Sequence, residues 1–216
     1  MPSLIYVADP MCSWCYAFGP ELAALLEGLP GMPVQVVTGG LRPYTREAAS
    51  DELKAQLRTH WKQVRERSGL PCEPKAVERD GFVYDTEPAC RAVVTARLRA
   101  PDTALYVLHE IQRAFYAEGR DVTDPATLVE IAAAAMTEAG TPTDAADFTA
   151  TWASEQAIRA TNDEFMLANR WEVSGFPTLI LERDGQLDLV SSGYVPMPQL
   201  IELLQTLVDA GQPAPH

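Results

Sequence analysis

The 216-residue sequence predicts an α/β domain in which a large block of helices interrupts a single sheet. Three observations predict this fold class. The chain opens with a strand, a helix and a strand, its middle shows helical periodicity almost throughout, and a β-hairpin followed by a helix closes it. We therefore expect the two ends of the chain to build one sheet, with the central residues inserted as helices.

The opening segment combines two apolar runs with one helical pattern. Residues 3–8 form a run rich in Ile, Tyr and Val, and residues 34–37 form a second run, so both are predicted strands. Apolar residues at helical spacing over residues 14–29 predict a helix between them, kinked at Pro20. Because crossover connections are right-handed, we expect the two strands to be parallel neighbours.

The middle of the chain is predicted to be helical, with one exception. Apolar residues recur three or four positions apart in five segments, which are residues 46–67, 88–98, 103–118, 125–139 and 144–172. The exception is residues 77–84, where Asp80-Gly81 indicates the turn of a hairpin.

The last part of the chain returns to strands. Residues 178–181 and 187–190 are predicted strands, and Arg183-Asp184-Gly185 is the turn between them. A helix over residues 198–210 then follows and closes the domain.

The charge of the protein excludes some partners. The chain has 17 basic and 30 acidic residues, a net charge of −13, so phosphate backbones and anionic membrane surfaces should be repelled. Neither nucleic acid nor a membrane is therefore an expected partner. The longest uncharged run, residues 28–41, is too short for a membrane span and contains proline and glycine.

The beginning of the chain and its cysteine content predict a location and a type of chemistry. The first eleven residues contain no Lys or Arg and no long apolar segment, so no secretory leader is indicated and we expect a cytoplasmic protein. Four cysteines are too few for a disulfide scaffold. In a reducing compartment their spacing points to metal or redox chemistry.

The motif Cys12-Ser13-Trp14-Cys15 lies between the first predicted strand and the first predicted helix. This spacing puts both thiols on one helical turn, within reach of a disulfide bond. Amide dipoles at the helix N-terminus favour the thiolate of Cys12, which makes it the candidate nucleophile. Cys15 should lie deeper and act as the resolving thiol.

The histidines and the other two cysteines give weaker evidence of a functional site. His60, His109 and His216 supply no second ligand pair at metal spacing, so no metal site is expected. Cys72 and Cys90 have two interpretations. They form a second disulfide that exchanges with the first, or Cys90 is buried and inert and Cys72 lies in a loop. The second interpretation is favoured because free cysteines are among the most buried residue types.

Two motifs resemble one known family. DPMCSWCY at residues 9–16 and GFPT at residues 175–178 resemble the thioredoxin superfamily, and more closely its DsbA-like branch, the group often called FrnE-like. The resemblance implies a thioredoxin fold with a large helical insertion. The implied thioredoxin-like domain comprises residues 1–45 and 152–216, and the inserted helical domain comprises residues 46–151.

The resemblance also implies roles for residues far apart in the sequence. Pro177 would carry a cis peptide bond and abut Cys12, and the backbone of Phe176 would bind an extended substrate chain. Ser13 and Trp14, between the cysteines, are further candidates for substrate contact. The alternatives are a trans Pro177 that begins a strand, and a Trp14 that belongs to the core.

The resemblance leaves the tuning of the redox centre open. Ser13-Trp14 replaces the Gly-Pro of thioredoxins and the Pro-His of the periplasmic oxidant, so neither redox potential carries over. The buried acid that usually lies behind the resolving cysteine is not identified. Asp9, in a predicted turn, is only a weak candidate for it.

The main functional hypothesis is a thiol-disulfide oxidoreductase acting on protein or peptide thiols and disulfides. It needs no organic cofactor, and glutathione or a thioredoxin-type reductant is the candidate redox partner. The alternative is a glutathione-dependent isomerase or transferase, like the 2-hydroxychromene-2-carboxylate isomerases and kappa-class transferases. Those relatives usually have serine at the position of Cys12, so the cysteine pair favours disulfide exchange. A non-catalytic binding module ranks last.

Overall fold

The computed structural model describes residues 2–210 and contains a four-stranded sheet. Its strands are β1 (Ser3–Ala8), β2 (Val34–Thr38), β3 (Thr178–Arg183) and β4 (Gln186–Ser192), in the spatial order β2-β1-β3-β4. β1 is parallel to β2 and antiparallel to β3, and β3 forms a hairpin with β4. The prediction that both ends of the chain build one sheet is confirmed.

The helices surround this sheet. They are α1 (Ser13–Glu27), α2 (Asp51–Ser68), α3 (Glu87–Arg99), α4 (Ala104–Tyr116), α5 (Pro125–Glu138), α6 (Ala145–Trp152), α7 (Glu155–Arg170) and α8 (Met197–Ala210). Short 3-10 turns lie at Pro74–Ala76 and Pro101–Thr103. Within residues 2–210, no helix combines the length and the apolar character that a membrane span requires.

The central strand β1 is buried on both faces. Leu4 and Tyr6 belong to the large core, which also includes side chains of α1, the inserted helices and α8. Ile5 and Val7 point to the opposite face, where they join a small core with Ala168 of α7. This alternation follows from the two-residue period of a strand. The end of β1, which leads into the cysteine motif, is therefore held between two packed layers.

The hairpin expected over residues 77–84 is wrong. A glycine turn forms at Gly81, which has a φ of 69°, but the only strand-like contact of this segment is an isolated bridge between Ala48 and Val83. Phe82 and Tyr84 are instead buried in the core beside the inserted helices. Side-chain burial and one backbone hydrogen bond, from the Ala49 amide to the Phe82 carbonyl at 2.7 Å, hold this segment in place of a hairpin.

The single helix expected over residues 144–172 is two helices, α6 and α7. The break lies at Ala153 and Ser154, and the Ser154 hydroxyl accepts a hydrogen bond from the Ala157 amide at 3.2 Å, which caps α7. Serine competes for backbone amides in this way and so begins a new helix. The apolar periodicity continues across the break and therefore does not reveal it.

A buried ion pair joins the sheet to the inserted helices. Glu164 of α7 accepts hydrogen bonds from the amide and the hydroxyl of Thr38, both at 2.7 Å, and pairs with the guanidinium of Arg97 on α3. Arg97 also donates to the Val36 carbonyl at 3.0 Å. Burial raises the pKa of Glu164, and the charge of Arg97 opposes this rise.

We expect Glu164→Gln to lower the free energy of unfolding by about 1.5 kcal/mol, because the amide can still accept from Thr38 but loses the charge that pairs with Arg97. Urea denaturation at neutral pH measures the change. Glu155→Gln is the control, because its ion pair with Arg159 is exposed and should contribute little. Equal effects of the two variants would contradict a stabilising role for the buried pair.

Candidate active site

The cysteine motif lies where β1 ends and α1 begins. Cys12 is the N-cap residue of α1, with extended backbone, and Cys15 follows on the first turn. Cys12 is 6% exposed and Cys15 is fully buried, so Cys12 is the more accessible of the two thiols. The Cys12 thiol donates to the Phe176 carbonyl at 3.5 Å.

The loop before β3 meets this motif, although Cys12 and Phe176 are 164 positions apart. β3 is the antiparallel neighbour of β1, and Val7 pairs with Thr178, so the loop that enters β3 lies beside the end of β1. The peptide bond between Phe176 and Pro177 is cis. The structure therefore brings together Cys12, Phe176 and Pro177.

The ring of Phe176 lies on the backbone of Gly39. A Cβ atom at Gly39 would be 2.0 Å from Cε1 of Phe176, which is far inside van der Waals contact. Glycine is therefore required by this close approach, and not by an unusual backbone angle. The packed ring leaves the carbonyl of Phe176 facing Cys12. In the sequence, Gly39 follows the second predicted strand, and its position there does not indicate this contact.

The residues between the cysteines have different surroundings. The ring of Trp14 is half-buried and packs against Tyr194, with ring centroids 5.9 Å apart. Tyr194 is anchored by donating its hydroxyl to Glu21 at 2.6 Å, and the guanidinium of Arg67 lies over its ring. Trp14 was predicted to contact substrate or to belong to the core, and its half-buried ring agrees with both, since one part packs and another part remains accessible. Ser13 is also half-buried.

Asp9 is a fully buried carboxyl group directly behind the cysteine motif. One carboxyl oxygen accepts from the Met11 amide at 2.8 Å, and the other accepts from the Leu41 amide at 2.7 Å. The thiol of Cys90 also donates to this second oxygen, at 3.3 Å. Burial raises the pKa of Asp9, and the hydrogen bonds from Leu41 and Met11 oppose the rise. The sequence around Asp9 does not indicate this burial, because Asp-Pro is typical of an exposed turn.

The environment of Cys15 favours its protonated form. Burial raises its pKa well above the usual value, and the neighbouring Cys12 thiol adds to the rise. A hydrogen bond with the Asp9 backbone acts in the opposite direction. The helix turn around Cys15 is held by Tyr6, whose hydroxyl donates to the Cys15 carbonyl at 3.3 Å. Cys15 can therefore remain a thiol beneath the more accessible Cys12.

The other two cysteines are both buried, so the loop cysteine expected at position 72 is shielded from solvent. Burial raises the pKa of Cys72 to about 11. Cys90 is not isolated, because it donates to Asp9, and burial together with the charge of Asp9 raises its pKa. Cys72 and Cys90 are therefore weak nucleophiles at neutral pH.

The raised pKa of Asp9 predicts a specific pH dependence of stability. Folding favours the protonated carboxyl of Asp9. Its contribution to the free energy of unfolding is therefore full below the usual pKa of 3.8, and it is lost as the pH rises through the pKa of Asp9 in the folded protein. Asp9→Asn removes this titration, together with one acceptor for the loop amides. We expect the stability advantage of the wild type over the variant to shrink as the pH rises above the usual pKa of 3.8 and passes through the raised value.

Urea denaturation at a series of pH values measures this advantage. Asp124→Asn is the control of opposite sign, because hydrogen bonds from Thr127 lower the pKa of Asp124. The contribution of Asp124 is present above the usual pKa and is lost as the pH falls through the folded value. An advantage at Asp9 that stays constant or grows with pH would contradict the raised pKa.

The sheet order, the cysteine motif at a helix N-terminus and the adjacent proline loop define a thioredoxin-type α/β protein. A family model described as the DSBA-like thioredoxin domain matches residues 3–205, so the chain belongs to this family. The predicted fold class, a thioredoxin fold with a large helical insertion, is thereby confirmed.

Solved structures give more specific similarities. A protein from Nitrosomonas europaea, provisionally described as a protein disulfide isomerase, is 34% identical, with a TM-score of 0.87 over 98% of this chain and 99% of that chain. The cytosolic disulfide reductase DsbM from Pseudomonas aeruginosa is 28% identical, with a TM-score of 0.77 over 97% of this chain and 100% of that chain. DsbM is also known with GSH, and that structure has a TM-score of 0.74, 25% identity, and coverage of 96% of this chain and 99% of that chain.

Among curated proteins, the ClpXP adapter protein SpxH from Bacillus subtilis is 23% identical over 181 residues. The alignment covers 82% of this chain and 58% of SpxH. This chain therefore spans little more than half the length of that relative.

Proposed function

We propose that this chain is a thiol-disulfide oxidoreductase that exchanges disulfides with protein or peptide substrates through Cys12 and Cys15. One observation carries the proposal. Cys12, which is more exposed than Cys15, caps a helix N-terminus against the Phe176 carbonyl, and the fully buried Cys15 lies one turn behind it. A helix N-terminus favours a thiolate, and burial keeps the second thiol protonated until it is needed.

The proposed reduction of a substrate has two steps. The Cys12 thiolate attacks one sulfur of the substrate disulfide, a mixed disulfide forms, and the other substrate sulfur leaves as a thiolate that takes up a proton. Cys15 then loses its proton, and its sulfur attacks the sulfur of Cys12. This step forms the Cys12–Cys15 disulfide and releases the second substrate thiolate, which is protonated. The substrate gains two electrons, and the reverse sequence oxidises a dithiol.

The surroundings of Cys12 support binding of an extended peptide. The backbone next to Pro177 borders the cysteine and is held in place by the ring of Phe176 on Gly39. Trp14, packed on Tyr194, offers a half-buried apolar ring between the two cysteines. We propose that Phe176 and Pro177 contact the substrate backbone and that Ser13 and Trp14 contact its side chains.

The redox partner and the location are part of the same proposal. Glutathione or a thioredoxin-type reductant would return the Cys12–Cys15 disulfide to two thiols, and two glutathione molecules would become one glutathione disulfide. The similarity to DsbM, which is known with GSH and is described as cytosolic, supports glutathione and a cytoplasmic location. We also propose a FrnE-like place in the family, and the division into residues 1–45 with 152–216 and residues 46–151.

The reduction potential of the Cys12–Cys15 pair tests this function and its direction. The full-length protein is equilibrated with reduced and oxidised glutathione, and the fraction with a disulfide between these two cysteines is measured by mass spectrometry. A potential near −270 mV would indicate a reductase, and one between about −180 and −120 mV would indicate an isomerase or an oxidase. Failure of Cys12 and Cys15 to form a disulfide under any ratio would overturn the proposal and favour the glutathione-dependent isomerase.

A further inference from the structure

Two buried tyrosines from the inserted segment donate to one carbonyl of the active-site loop. The carbonyl belongs to Met11, the residue before Cys12, and it accepts from the hydroxyls of Tyr84 and Tyr116, the latter at 2.6 Å. Tyr84 lies between α2 and α3, and Tyr116 is the last residue of α4. Both side chains are almost completely removed from solvent.

The two rings have little freedom to move. Tyr116 stacks on Tyr16, with ring centroids 4.9 Å apart, and meets Trp61 edge to face at the same distance. Tyr84 packs against Phe115 at 6.3 Å. Burial raises the pKa of both phenols, so each keeps the proton that it donates. The aromatic cluster therefore presents two fixed O–H donors to the loop.

The donors act on a short and rigid link to Cys12. A peptide group is planar, so fixing the carbonyl oxygen of Met11 also fixes the amide nitrogen and Cα of Cys12. That amide in turn donates to the Asp9 carbonyl at 3.0 Å, which closes the turn before the helix. An acceptor with two hydrogen bonds has both lone pairs occupied, so the peptide group has no favourable alternative orientation.

We propose that Tyr84 and Tyr116 are positioning residues for the exchange reaction. Through the Met11 carbonyl they hold Cys12 at the helix N-terminus and against Phe176. The inserted segment thus holds part of the redox centre in place. This inference rests on the proposed function, because it assigns the reacting sulfur to Cys12.

The test uses the full chain with Cys15→Ser, so that Cys12 reacts once and keeps its adduct. The rate of mixed-disulfide formation with 5,5′-dithiobis(2-nitrobenzoate) is measured from about pH 5 to pH 9, a range that brackets thiol ionisation, in Tyr84→Phe, Tyr116→Phe and the double variant. Mass spectrometry assigns the adduct, and circular dichroism confirms that each variant is folded. Tyr16→Phe is the matched control, because its hydroxyl makes no hydrogen bond within residues 2–210.

We expect each single variant to react about threefold more slowly, since one phenol still holds the carbonyl, and the double variant to lose about thirtyfold. The double variant should react more slowly than the parent across this whole pH range, because its Cys12 is displaced from Phe176. The rate of Tyr16→Phe should stay within about twofold of the parent's rate, which is a smaller change than the loss of one hydrogen bond would cause.

Parental rates in the double variant, with only a loss of stability, would overturn the proposal and leave the phenols a structural role. If the double variant does not fold, parental rates in both single variants would overturn it equally. Failure of the proposed function has a different signature. In that case the parent itself would form its adduct at a cysteine other than Cys12.

Discussion

Cys12→Ser is expected to abolish disulfide exchange, and Cys15→Ser is expected to stop it at the mixed disulfide. Without Cys12 the three remaining thiols all have pKa values raised by burial, so we expect the rate to fall by on the order of a thousandfold or more. Without Cys15 the first attack still occurs, but no thiol resolves the adduct. Turnover of a peptide disulfide measures the first loss, and mass spectrometry after oxidation detects the trapped adducts on Cys12.

Cys72→Ser is the matched control for this experiment. Cys72 is 6% exposed, as is Cys12, but burial raises its pKa to about 11, so it should react slowly and its loss should leave turnover unchanged. Alkylation at mildly acidic pH should accordingly modify Cys12 first. Preferential labelling of Cys15, Cys72 or Cys90 would contradict the assignment. Absence of trapped adducts while Cys12 still reacts with alkylating agents would favour the glutathione-dependent isomerase.

The sheet and the cysteine motif were predictable because their signals are local. The apolar run of residues 3–8, the helical spacing that follows it and the glycine turn at Asp184-Gly185 each report the structure of their own segment. The motif at residues 12–15 is equally local. Placing Pro177 next to it needed the family resemblance, because no spacing rule links positions 164 or more residues apart.

The residues that hold the redox centre in place could not be predicted, because their contacts are not local in the sequence. Asp9 is buried because α3 and the loop after β2 cover it, and nothing near Asp9 in the sequence indicates this cover. Tyr84 lies in the segment that was expected to form a hairpin, where its alternation with Phe82 matches a strand. In the structure both side chains face the helical core, and only long-range packing reveals that Tyr84 reaches Met11.

Gly39→Ala is expected to impair both stability and exchange, because the new methyl group would occupy the space of the Phe176 ring. A Cβ atom there would lie 2.0 Å from Cε1 and 2.2 Å from Cζ, so the ring must leave its position. Overpacking of this kind costs about 2 kcal/mol of unfolding free energy. Movement of the Phe176 backbone by about 1 Å from Cys12 should slow exchange by a further ten- to hundredfold. Urea denaturation and peptide-disulfide turnover measure the two effects.

Gly175→Ala is the matched control, since it lies in the same loop as Phe176 and a Cβ atom there has no neighbour within 4 Å. It should leave both quantities close to the wild type. A double-mutant cycle with Phe176→Ala then isolates the clash, because Gly39→Ala should cost little once the ring is gone. If Gly39→Ala is equally damaging with and without the ring, contact with Phe176 is not the reason for glycine at this position. The ring would then not be the element that keeps the Phe176 carbonyl against Cys12.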